Sequence, residues 1–187
     1  MPEGPSILHL KDQLMPFKGK FVKKAGGYGG MSTDWIKGKK LTDIKTWGKH
    51  LLFVFPNGVI RVHLGLFGEI LINEQKKVNR SFFLEFSSGE INGYVVKANK
   101  LDKSLKETYD WHTDILSPQF DKAYVKTLLK KKGDKTIDDV LMDQEIFTGV
   151  GNKIRNEALY RAAIHPLSIV SKIPAAKISK LISEVVK

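Results

Sequence analysis

Met1-Pro2-Glu3 opens the chain with an unusual chemical option. If Met1 is removed, Pro2 becomes a free secondary amine, and an α-amino group with a pKa of roughly 7.7 to 8 is partly unprotonated and nucleophilic near neutral pH. Such an amine attacks a sugar aldehyde carbon. The resulting iminium is an electron sink that makes the adjacent proton acidic and lets a 3′ phosphate leave by β-elimination. Glu3, one residue away, is suited to donate a proton to the opening sugar and to shuttle others. Taken alone, the pair is more often an ordinary loop start.

Three other stretches carry chemistry at their spacing. Lys49, in Trp47-Gly48-Lys49-His50, precedes the apolar strand at Leu51, where an ammonium could hold a phosphate; a solubilising lysine is the commoner use. His63-Leu64-Gly65-Leu66-Phe67-Gly68 sets two large apolar groups between glycines, so a tight reversal would expose Leu66 or Phe67 as a wedge between base pairs. A buried hairpin end competes with that view. The most specific stretch runs from Asp143 to Asn152. Gly149 and Gly151 alternate before a helix start, presenting backbone N–H groups to an anion, and Asn152 could add its side-chain amide.

The elements that must position these groups differ in texture between two halves. From Phe21 to about Val96 the pattern is short and β-like. Leu51-Leu52-Phe53-Val54-Phe55, a Pro56-Asn57-Gly58 turn and Val59 to Leu64 read as one hairpin; Ser81 to Phe86, the Ser87-Ser88-Gly89 turn and the run to Val96 read as another. Pro5 to Met15 has helical spacing, with Ser6 near its start. From about Pro118 the period becomes helical. Tyr124, Leu128 and Leu129 mark one face of a helix stopped at Gly133, and the lysines around them read as a solvated face. Asp134 is the expected cap of a second helix, through Val140, Leu141 and Met142. Asn152 to Arg161 reads as a third, and a fourth begins at Pro174 with Ile178, Leu181, Ile182 and Val185 as its stripe. This last helix runs to Lys187 with no closing Gly, Asn or Pro, as in a chain cut short. Lys97 to Lys106 reads as the exposed connection between the halves. The expected architecture is α+β, with domains at 1–115 and 116–187.

Composition narrows the chemistry. Of 187 residues, 31 are Lys or Arg and 20 are Asp or Glu, a net charge of +11, and there is no cysteine. Disulfides, thiol nucleophiles, iron–sulfur clusters and cysteine-ligated zinc are excluded in the chain as given. No apolar run approaches a membrane span, the first residues do not resemble a signal peptide, and the expected location is intracellular. The charge favours a polyanionic partner, nucleic acid before a membrane surface. His9, His50, His63, His112 and His165 lack metal-ligand spacing, so no metal is assigned. Gly26 to Gly30 reads as a loop.

Together, Met1-Pro2-Glu3-Gly4-Pro5, Gly48-Lys49-His50-Leu51-Leu52, the His63 to Gly68 turn and Leu141 to Pro166 resemble the formamidopyrimidine-DNA glycosylase / endonuclease VIII family, in its order and at about its spacings. The resemblance implies an N-terminal β-sandwich with a helix, then a helix-two-turn-helix domain, with DNA in the cleft between. It implies base excision with strand cleavage at the abasic site, acting on DNA with an oxidised base flipped from the stack. By that resemblance Pro2 is the Schiff-base nucleophile, Glu3 the general acid, Lys49 the catalytic lysine that contacts phosphate and serves the β-elimination, and Asn152 a phosphate ligand assisted by Gly149 and Gly151. The chain is expected to act as a monomer without a cofactor, in a bacterial cytoplasm or at the nucleoid. Two departures stand out. The family's four-cysteine zinc ribbon has no counterpart here, which makes a non-catalytic damaged-DNA-binding protein the alternative. Tyr94-Val95-Val96-Lys97 also stands where formamidopyrimidine enzymes carry an Asp-Pro-Arg-Arg-Phe type segment. That favours an endonuclease VIII-like or divergent branch, with Leu66 and Phe67 as the wedge.

Overall fold

Alternation of apolar and polar side chains builds the first unit, because residues at i and i+2 of a strand share one face. In a computed structural model, which describes residues 2–187, eight strands form two antiparallel sheets. The strands are β1 (Lys24–Gly26), β2 (Asp43–Trp47), β3 (His50–Phe55), β4 (Gly58–His63), β5 (Glu69–Ile72), β6 (Phe82–Phe86), β7 (Gly89–Tyr94) and β8 (Lys97–Lys100). One sheet has the order β1-β6-β7-β5 and the other β2-β3-β4-β8. Leu51, Phe53 and Phe55 of β3 and Ile60 and Val62 of β4 share one core with Phe82, Leu84 and Phe86 of β6 and Ile91 of β7. Phe53 meets Phe82 with ring centroids 5.9 Å apart. This is the sandwich expected from the two hairpins. Helix α1 (Gly4–Leu14) adds Ile7 and Leu14 to the same core.

The second unit is helical: α2 (Leu105–Thr108) precedes it, and α3 (Lys122–Lys130), α4 (Ile137–Met142), α5 (Asn152–Ala162) and α6 (Ala175–Glu184) form it. Its core gathers Val125 and Leu129 of α3, Val140 and Leu141 of α4, Ala158 and Leu159 of α5 and the expected stripe Ile178, Leu181, Ile182 and Val185. Contacts group Ser6–Thr108 with Pro2 in the first unit, and Tyr109–Lys187 with Glu3–Pro5 in the second.

Four local readings change. Lys97–Lys100 is not a connection but strand β8, paired antiparallel with β4. Its only buried apolar side chain is Ala98, so its place in the sheet depends on β4 and not on its own pattern. The cap of α4 is Thr136, whose hydroxyl accepts from the Asp139 N–H, and not Asp134. The backbone of 135–137 is committed to the 166–170 segment through Val170 N to Lys135 O and Ile137 N to Ser168 O, so the helix cannot begin earlier. In α3 the buried face is Val125 and Leu129 rather than Tyr124, which is exposed. Helix α6 closes at Glu184, before Lys187.

Candidate functional site

Glu3 is the centre of a cluster in the second unit. A helix start leaves N–H groups without intrahelical partners, and its positive end favours an anion. At the start of α5 that anion is the protein's own: Glu3 Oε1 accepts from the Lys153 N–H at 2.8 Å and Oε2 from the Ile154 N–H at 3.1 Å. Glu3 is only 8% exposed. Gly151, the residue before α5, makes room for it, since a Cβ there would lie 2.5 Å from the Glu3 side chain. Gly4 N donates to Gly149 O at 2.9 Å, tying the segment down beside the carboxylate.

The Asp143–Gly151 loop is held by Gln144, to which the sequence reading gave no role. Its amide donates to Met142 O and Val150 O and its oxygen accepts from the Gly149 N–H. The buried Thr113 and Thr148 hydroxyls meet at 2.9 Å beneath it. The expected anion cradle is therefore largely filled from within. The Gly149 amide is bonded to Gln144, and two α5 amides are bonded to Glu3. Asn152, first residue of α5, is exposed.

In the first unit the strand register gathers the other residues at one end. Trp47 pairs with His50, His50 with His63, and His63 with Lys97. The β2–β3 turn that carries Gly48 and Lys49, the 64–68 turn after β4 and the 95–96 turn before β8 therefore lie at the same end of the sandwich. Gly48 has φ +52°, a left-handed conformation that suits a two-residue hairpin turn. Lys49 is 8% exposed, which a solubilising lysine would not be. Leu66 and Phe67 are 62% and 78% exposed, so the turn presents both rather than burying its end.

The histidines have a local role that spacing did not reveal. The His50 and His63 rings stand 5.5 Å apart at 77°. Burial, then the Arg61 and His63 charges, push His50 down to about 4. Burial, then Lys49, Arg61 and Lys97, lower His63. Cations that oppose a further positive charge are together a field for an anion. Among the described residues no group of three His, Cys, Asp or Glu side chains could hold a metal ion, and the chain has no cysteine. The four-cysteine zinc ribbon of the resembled family finds no cysteine among the 187 residues given.

These two clusters can be set beside known proteins. Residues 1–97 match the formamidopyrimidine-DNA glycosylase N-terminal domain and residues 112–187 the H2TH domain of the same glycosylase. Endonuclease 8-like 3 of Mus musculus is 32% identical over 139 residues, covering 70% of this chain. The chain spans only 23% of the length of that relative. The formamidopyrimidine-DNA glycosylase of Lactobacillus helveticus is 32% identical over 203 aligned positions, 97% of this chain and 73% of the relative. The fold is also that of a crystal structure of Lactococcus lactis formamidopyrimidine-DNA glycosylase non-covalently bound to DNA containing an abasic site, with a TM-score of 0.85 at 19% identity over 98% of this chain and 78% of that one. With both of its domains matched in order along the chain, the protein belongs to the formamidopyrimidine-DNA glycosylase family.

Proposed function

We propose that this chain removes oxidised bases from DNA and cleaves the strand at the resulting abasic site, with Pro2 as nucleophile. The observation that carries the reading is Glu3, seated on the first amides of α5 in a space that only glycine at 151 leaves open. That seat fixes the residue next to Pro2 in a protected place, as an N-terminal nucleophile requires. Each Glu3 oxygen keeps a second lone pair for proton exchange.

Met1 lies outside the described residues, and the chemistry begins with its removal. The Pro2 nitrogen attacks C1′ of the damaged nucleotide, and the bond from C1′ to the base breaks as the base leaves. Glu3, resting as the carboxylate, takes the proton that the Pro2 nitrogen gives up and passes it to the ring oxygen as the C1′–O4′ bond opens, which leaves the iminium. Loss of a C2′ proton then expels the 3′ phosphate with the electrons of its bond to C3′, and water releases Pro2. Lys49 contacts a strand phosphate in a field shared with Arg61 and Lys97. Asn152, exposed at the start of α5, offers its amide to the phosphate at the lesion, with Gly149 and Gly151 shaping the loop before it. Leu66 and Phe67 enter the base stack as the damaged base turns out.

Borohydride trapping on an oligonucleotide with one abasic site, read by peptide mass spectrometry, tests the reading. The expected product is a reduced adduct on Pro2 of protein lacking Met1. Binding without any adduct in protein confirmed to lack Met1 overturns it and leaves a damaged-DNA-binding protein without turnover.

A further inference from the structure

Between Lys18 and Lys45 stand eight lysines and only two acids, around a phenylalanine, Phe21, that is 61% exposed. The outward ring has a structural cause. Residues 19–22 and 38–41 run antiparallel: Gly19 N donates to Leu41 O, Leu41 N to Lys20 O, Val22 N to Lys39 O and Gly38 N to Val22 O, at 2.7–3.0 Å. Phe21 and Lys40 oppose each other in this pair. Side chains alternate along extended backbone, so burial of Val22 and Leu41 turns Phe21 and Lys40 outward on one face. Gly19 leaves room for the lysine stem, since a Cβ there would lie 3.8 Å from Lys40 Cε. Lys20, Lys23 and Lys39, each exposed, border the pair.

The neighbouring acids do not neutralise this patch. Asp43 is paired with Lys18 and Asp34 with Lys37, each at 2.7 Å, and Glu85 with Arg80 at 3.2 Å. Among the described residues no ion pair takes up Lys20, Lys23, Lys39 or Lys40. The patch also stands apart from the Lys49 turn. Asp43, which Lys18 holds, begins β2, and Trp47 ends it beside that turn, about 14 Å further along the strand.

We propose that Phe21 with Lys20, Lys23, Lys39 and Lys40 is a nucleic-acid site of its own, which takes an undamaged single strand: a base stacks on the Phe21 ring while the adjoining phosphates lie against the lysines. A single strand fits because its bases are free to stack, whereas the base faces of a duplex are covered by their neighbours. One exposed ring offers a lipid surface little apolar area, and an acidic peptide would answer the charge without using the ring. The site shares no residue with the catalytic groups and stands or falls apart from the function proposed above.

The test uses the full chain and a short, fluorescently labelled oligothymidylate in which one base is 5-iodouracil, which ultraviolet light joins to an aromatic ring stacked on it. Wild type is expected to bind and to give a cross-link on the peptide carrying Phe21. Lys39→Glu with Lys40→Glu is expected to lower both affinity and cross-link by about tenfold or more. Phe21→Leu is expected to lose about tenfold in affinity and Phe21→Trp to retain it, which separates stacking from apolar area. The replaced side chains are exposed, so each variant is expected to keep the wild-type Tm and the wild-type rate of borohydride trapping. A cross-link confined to other peptides, or wild-type affinity in Phe21→Leu, overturns the proposal. Binding to phosphatidylserine vesicles, or dimerisation, that is lost in Phe21→Leu while oligothymidylate binding is kept overturns it too, by assigning the patch to a lipid surface or to a second copy of the chain. Failure of trapping with the Phe21 cross-link retained overturns the proposed function and leaves this site standing.

Discussion

The loop before α5 and the open end of the sandwich hold their functional groups in opposite ways. Around α5 nearly every polar group identified is answered within the protein: Glu3 meets two helix amides, Gln144 takes the Gly149 N–H and two carbonyls, and the Thr113 and Thr148 hydroxyls meet each other. At the end of the sandwich apolar side chains face solvent, cations share one field, and Val95 sits in a strained conformation. The first arrangement suits holding one atom in place; the second suits meeting a partner that brings its own charge and apolar surface. On the proposed function, anchoring and contact fall to different elements, and each should fail in its own way.

The largest effect expected is at Gly151. Gly151→Ala places a Cβ 2.5 Å from the Glu3 side chain and so evicts the carboxylate. Borohydride trapping should fall by about 100-fold or more, on the scale of a misplaced reacting group. Trapping at the wild-type rate would break the distinction between an anchoring region and a contacting one. Glu3→Gln comes next. One of its two acceptor oxygens becomes an NH2 facing a backbone N–H. A loss of about 1–3 kcal/mol in denaturant unfolding is expected with the loss of trapping, and an unchanged midpoint would show that Glu3 does not hold the start of α5.

The sandwich end should reveal itself through pH. His50 is held near 4 in the folded chain, while an unfolded histidine titrates near 6.5. Between these values the unfolded chain binds more protons, so stability falls as pH drops from about 6.5 toward 4, by up to about 3 kcal/mol from this residue. His63 is lowered as well and adds in the same direction. Thermal unfolding between pH 7.5 and 4.5 should show this slope, and His50→Gln should flatten it; an equal slope in the variant would assign the pH dependence elsewhere. The smallest effect is a control. Asp121 caps α3 by accepting from the Ala123 and Tyr124 N–H groups. Asp121→Ala should cost about 1 kcal/mol, lowering Tm by roughly 2–4 °C, with trapping retained. A loss of trapping would mean that the helical unit responds as a whole.

Much of this was legible because some signals are local. The two central hairpins followed from apolar alternation around Pro56-Asn57-Gly58 and Ser87-Ser88-Gly89, and α6 from a stripe at helical spacing. The exposure of Leu66 and Phe67 followed from their place between glycines. The pairing of Lys97–Lys100 could not be read, because one alanine is too weak a pattern without β4 beside it. The cap at Thr136 was missed because the competing partner, residues 166–170, is distant in sequence.

By itself the sequence determined the two central hairpins and the principal helices, where the charge and the glycines stand, and that Pro2, Glu3, Lys49 and Asn152 belong to chemistry worth testing. Only the tertiary structure decided that the helix-end anion is Glu3, that Lys49 is buried, that His50 and His63 are lowered by burial and then by the charges near them, and that Val95 stands exposed in a left-handed conformation. Periodicity and turn chemistry act over a few residues and leave their trace in the local sequence. Hydrogen bonds from Glu3 to residues 153 and 154, or from Ser81 across the 93–96 turn, join positions whose nearness exists only after the chain has folded.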